Sequence, residues 1–130
     1  MKITERYGLP FIGINIAFQG KSLRLDNVLI DTGSASTLLN ADIVGRIGII
    51  PEKDDPVDTI RGGGGVEYVY TKMIDSIRIG ETIARNIQVE IGSMDYGLEM
   101  DGIIGFNFLK RVGAKIDIDI MEMTIDRVDG

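Results

Sequence analysis

The chain contains no cysteine, no histidine and no tryptophan. Without thiolate or imidazole, Cys nucleophiles, Ser-His-Asp triads and His/Cys zinc sites are excluded in cis, and no disulfide can staple the fold. Chemistry must then come from carboxylates, hydroxyls, Lys amines or the backbone. Positive charge is in deficit: 14 Lys plus Arg stand against 20 Asp plus Glu, a net charge of −6. A surface of that sign repels phosphate backbones and anionic headgroups, so neither a nucleic acid nor a membrane is an expected partner. No run approaches the roughly 20 apolar residues that span a bilayer, and Met1 to Gly8 lacks the apolar stretch of a signal peptide. With cysteine absent as well, a cytoplasmic protein is the expectation.

What the chain does have is β-branched apolar bulk. It carries 22 Ile and 8 Val against 8 Leu and 5 Ala, and such stiff side chains pack well on a pleated surface. An all-β fold follows. Its 130 residues suit one domain, 1–130, with a single core. Glycine, at 17 residues, is well above the usual share of about 7% and falls between apolar runs, as tight turns require.

Along the chain, Pro10 to Phe18 alternates, with Ile12, Ile14, Ile16 and Phe18 on one face, and Gln19-Gly20 reads as a hairpin turn into a second strand, Ser22 to Ile30. The end of that strand, Val28-Leu29-Ile30, is continuously apolar and runs into Asp31-Thr32-Gly33-Ser34. Asn40 can cap a short helix over 41–47, which Gly48 stops. After the polar loop Pro51 to Pro56, Val57 to Ile60 and Val66 to Tyr70 flank Arg61 and four glycines, Gly62 to Gly65, as a hairpin. Met73 to Ile79 and Ile83 to Ile91 pair around Gly80-Glu81. The segment Asp101-Gly102-Ile103-Ile104-Gly105 leads to a helical turn over 106–111. Ala114, Ile116, Ile118 and Ile120 alternate with polar residues, and a last strand is expected over 123–128. The two halves echo each other weakly, each running hairpin, apolar strand, glycine-bearing turn, short helix.

Peptide hydrolysis by carboxylates needs two Asp side chains close enough to share one proton, one acting as base and the other as hydrogen-bond donor. An apolar strand entering Asp-Thr-Gly supplies a buried base, a hydroxyl for the backbone, and a glycine that admits another backbone closely. Val28-Leu29-Ile30-Asp31-Thr32-Gly33-Ser34, the glycine-rich hairpin and Asp101-Gly102-Ile103-Ile104-Gly105 resemble, in that order, the motifs of the retropepsin-like aspartic proteases. The resemblance spans about residues 10–120 and implies a closed-barrel-like acid-protease fold with one short helix. It also implies an aspartic endopeptidase acting on an extended peptide or protein substrate, with no cofactor and no metal. Since only one Asp-Thr-Gly is present, it implies a homodimer with one Asp31 from each chain.

The resemblance assigns catalysis to Asp31, Thr32 and Gly33, with Thr32 bonding across the dimer interface. It assigns substrate binding to Ser34, whose hydroxyl is expected on the Asp31 carboxylate, and to a flap made by Gly62, Gly63, Gly64 and Gly65. Tyr68 and Tyr70 are read as packing residues. Asp101 lacks a Thr/Ser-Gly continuation and is read as structural, with Ile103-Ile104-Gly105 supporting the Asp31 loop. A non-catalytic binding or dimerisation module of the same fold would carry the same motif, and the separation of the two Asp31 carboxylates in a dimer distinguishes the two. The four glycines are not a phosphate loop, since no Gly-Lys-Ser/Thr and no helix follow, and the acidic clusters lack the spacing of a calcium loop.

Overall fold

The computed structural model describes residues 1–62 and 65–127. Strands are β1 (Thr4–Arg6), β2 (Leu9–Phe18), β3 (Lys21–Ile30), β4 (Leu38–Asn40), β5 (Val57–Gly62), β6 (Gly65–Ile79), β7 (Thr82–Gly92), β8 (Gly102–Ile104), β9 (Lys115–Asp117) and β10 (Glu122–Thr124). Helices are α1 (Ala41–Val44), continued by a 3-10 turn at Gly45–Ile47, and α2 (Phe106–Val112). The β-rich class read from the Ile and Val content is what the chain adopts.

Eight strands pair in the order β1-β2-β3-β8-β4-β7-β6-β5, and β2 also pairs with β6. The pairings therefore run from β2 round through β6 and back to β2, which leaves β1 and β5 as the outlying strands. β9 and β10 form a separate two-stranded ribbon. The β2–β3 hairpin closes through Gln19 (φ 49°) and Gly20 (φ 82°), two left-handed residues whose twist matches that of the strands. Asn40 caps α1 by accepting the Asp42 N–H at 3.0 Å, and Gly48 ends the 3-10 turn at φ 86°.

The main core gathers Ile12, Ile14, Ile16, Leu25, Val28, Ile74, Ile77, Ile79 and Phe108 among others. Each such side chain contributes about 1.5–3 kcal/mol on burial. A second, smaller cluster joins Phe11, Leu38, Val69, Met94 and Met100, with Leu29, Ile60 and Ile103 packed against it. It connects the β5–β6 hairpin to the strands that lead into Asp31.

Three boundaries differ from the sequence expectation. β6 is one strand of 15 residues and does not break at Thr71-Lys72. The Lys72 side chain is 6% exposed, its ammonium bonded to Glu52 at 2.6 Å and to Asp55 at 2.8 Å, so a charge is buried without ending the strand. At the other end, β9 stops at Asp117, although alternation continues to Ile120. The Asp117 carboxylate accepts the Ile120 N–H at 3.3 Å and turns the chain, leaving Ile118 and Ile120 exposed. The final strand is Glu122–Thr124; Val128 lies outside the described residues.

Candidate active site

β3 and β8 run parallel, pairing Val28 with Gly102, Leu29 with Ile103 and Ile30 with Ile104. The Asp31 N–H extends this ladder by donating to Ile104 O at 3.0 Å. The apolar triplet Val28 to Ile30 thus anchors the backbone immediately before Asp31, with Val28 and Ile30 buried and Leu29 half-buried.

The chain then turns. Ser34 N–H donates to Asp31 O at 3.2 Å, and Gly33 N–H donates to Asp31 Oδ1 at 2.9 Å. The carboxylate is therefore oriented by the amide of its own Asp-Thr-Gly turn. Asp31 is half-buried, and Thr32 and Gly33 are exposed, so the turn presents a carboxylate, a hydroxyl and a bare backbone outward.

The expected bond from Ser34 to Asp31 is not the one formed. The Ser34 hydroxyl donates to Ser36 O at 2.8 Å, because the turn folds that carbonyl back within reach of it. Ser34 O in turn accepts the Phe106 N–H at 2.7 Å. Ser34 ties the turn to itself and to the start of α2 and leaves the carboxylate to Gly33.

The turn is backed by a contact that only glycine permits. A Cβ on Gly105 would stand 2.1 Å from Ser36 O and 2.8 Å from Ser34 O, backbone atoms that cannot yield. Thr37, fully buried, accepts the Gly105 N–H at 3.2 Å and donates its hydroxyl to Asn107 Oδ1 at 3.0 Å. Sequence reasoning missed Thr37 and Asn107. The available signal was slight: Thr37 is the last of the hydroxyl residues Ser34, Ser36 and Thr37 before the apolar pair Leu38-Leu39.

Asp101 has a different place. Its Oδ2 accepts the Asn27 N–H at 3.0 Å, its N–H donates to Asn27 O at 2.8 Å, and its carbonyl accepts the Asn40 N–H at 2.9 Å. Asp101 precedes the three-residue ladder that Asp31 follows and so stands level with Asn27, which sets the two roughly 13 Å apart along the strands at about 3.3 Å per residue. A shared proton between them is out of reach within one chain.

Gly62 and Gly65 pair with each other at the end of the β5–β6 ladder; Gly63 and Gly64 lie outside the described residues. The hairpin's Ile60 and Val69 join the second cluster together with Leu29, Leu38 and Ile103, residues on both sides of the Asp31 turn. Tyr68 is exposed and Tyr70 packs against the main core. Beside Tyr68, Glu67 bonds the loop that follows β7. Burial pushes its carboxyl up, but hydrogen bonds from Tyr96, Met94 and Ser93 overrule that and hold it below its ordinary value. The Tyr96 phenol is pushed up, first by partial burial, then by its hydrogen bond to Glu67 and by the Glu67 charge. Among the described residues no cluster of three acidic groups is arranged to hold a metal ion, and no helix is long and apolar enough to cross a membrane.

The family model described as "gag-polyprotein putative aspartyl protease" matches residues 14–111, a span that holds the Asp31 turn, the glycine-rich hairpin, β8 and α2 up to Arg111. A retropepsin-like aspartic protease from Rickettsia conorii has a similar structure: TM-score 0.69 at 19% identity, with 95% of each chain covered. That likeness establishes a shared fold. No curated protein matches the chain by sequence.

Proposed function

The chain belongs to the gag-polyprotein aspartyl protease family, and from that premise we propose that it is an aspartic endopeptidase whose catalytic pair is Asp31 from each of two identical chains. The observation that carries this reading is the Asp31 turn. A half-buried carboxylate is oriented by the Gly33 amide, flanked by exposed Thr32 and Gly33, and roughly 13 Å along the strands from Asp101, the Asp of the echoed motif.

Two Asp31 carboxylates brought together share one proton, because like charges in contact cannot both ionise. The ionised member takes a proton from water as its oxygen attacks the peptide carbonyl carbon. The protonated member gives its proton to the carbonyl oxygen. Collapse of the resulting diol passes a proton to the amide nitrogen and breaks the C–N bond, with no covalent enzyme intermediate. Thr32 locks the two turns together, and the glycine-rich hairpin closes over the extended substrate and bonds its backbone, which bare glycine peptides allow.

Digestion of a denatured peptide library by wild type beside Asp31→Asn tests the reading, with pepstatin as a control. Wild type cleaves and is inhibited; Asp31→Asn loses about three orders of magnitude or more of rate, as loss of a central catalytic group does. Cleavage that survives Asp31→Asn removes the claim. A wild type that binds peptides without cutting them is the non-catalytic module.

A further inference from the structure

Glu67 lies outside the chemistry assigned to Asp31, yet its carboxylate gathers three donors from one loop. Oε1 accepts the Met94 N–H at 2.8 Å and the Ser93 hydroxyl at 3.2 Å, and Oε2 accepts the Tyr96 hydroxyl at 2.5 Å. Gly92 makes room for it: a Cβ there would stand 2.6 Å from Glu67 Oε1 and 3.0 Å from Val69 Cγ1. The carboxylate occupies the space a side chain would take. Hydrogen bonds to an ionised acceptor are about twice as strong as neutral ones, and three converge here. Met94 turns its side chain into the second cluster against the hairpin's Val69, so a polar clasp and an apolar contact hold the same loop to the same strand.

The far end of that loop is fixed as well. Leu98 and Met100 enter the second cluster, and Asp101 bonds Asn27 through backbone and carboxylate. Segment 93–100 thus runs from the hairpin to the strand pair that carries Asp31.

We propose that Glu67 is a positioning residue that joins the β5–β6 hairpin and the 93–100 loop into one cooperative unit, so that the loop holds the hairpin in place beside the strands that carry Asp31. The consequence for catalysis rests on the endopeptidase reading; the mechanical coupling rests on the clasp.

Amide hydrogen exchange read residue by residue decides the coupling without any need for activity. In wild type, the Met94 amide and the hydrogen-bonded amides of residues 58–60 and 67–69 open together. Glu67→Ala accelerates all of them by about tenfold or more and leaves those of Ile14 and Ile77 in the main core unchanged. Gly92→Ala produces the same acceleration by displacing the carboxylate from its donors, and combining the two substitutions adds little further. Acceleration confined to Met94, acceleration that includes Ile14 and Ile77, or none at all overturns the proposal. In peptide cleavage, either substitution raises KM for long substrates while kcat stays within about twofold, and an equal loss of kcat overturns the positioning role. A wild type without cleavage refutes the endopeptidase reading, while exchange still decides the clasp.

Discussion

Asp31 is set by one amide and one strand end, and its neighbours are engaged elsewhere. The Ser34 hydroxyl is committed to Ser36 O, so Ser34→Ala removes a bond that holds the turn and not one that favours a charged dyad. Stability is expected to fall by about 1 kcal/mol in denaturant unfolding, while the bell-shaped pH–rate profile expected of the proposed Asp31 pair stays where it is in wild type. An optimum that moves upward in pH would show the hydroxyl on the carboxylate in the working enzyme. The place of the Asp31 turn, at the end of a strand buried at Val28 and Ile30, was legible because three apolar residues lead into a turn-forming triplet. The partner of Ser34 was not, since a hydroxyl with a free rotor takes whichever acceptor the backbone brings near, and that backbone is shaped by Gly105 and Phe106, some seventy residues away. Thr37 was hidden for the same reason: its two partners, Gly105 and Asn107, come from the other half of the chain.

Among the elements, β6 depends on a buried cation. The Lys72 ammonium binds Glu52 and Asp55, and Asp55 also accepts the Glu52 N–H at 2.8 Å, so this clamp pins the 51–56 loop beside the strand. The Asp55 carboxyl is held below its ordinary 3.8, chiefly by the hydrogen bond from Lys72. A depressed folded-state pKa gives stability that is complete above the unfolded value and disappears as pH falls through the folded one. Asp55→Asn is therefore expected to melt below wild type near neutral pH, with the gap closing as pH drops beneath 3.8. Thermal unfolding across pH measures it, and a gap that persists unchanged in acid contradicts the clamp. The sequence gives no sign of this strand's continuity, because a Lys in mid-strand reads as a boundary until its carboxylate partners, 17 and 20 residues earlier, are placed in space. The opposite error at Ile118 and Ile120 has a local cause. A clean alternation continued past the point where the Asp117 side chain captured the Ile120 amide and ended the strand.

For the whole molecule, the weak echo between the two halves acquires physical meaning in the parallel pairing of β3 with β8. That pairing joins the Asp-bearing strand of one half to the corresponding strand of the other, and it sets Asp31 and Asp101 at opposite ends of one short ladder. Hairpins at Gln19-Gly20 and Gly80-Glu81 were legible from turn chemistry; the order in which distant strands meet was not, because it is fixed by packing of Ile side chains that are chemically alike. One ladder with Asp at both ends gives one usable Asp per chain, so the proposed activity requires a second copy. Mixing wild type with Asp31→Asn at constant total concentration, after subunit exchange, tests this most directly. With a dyad shared between chains, and each mixed dimer inactive, activity falls as the square of the wild-type fraction. Activity that falls in simple proportion to that fraction would mean each chain works alone, and would contradict the account.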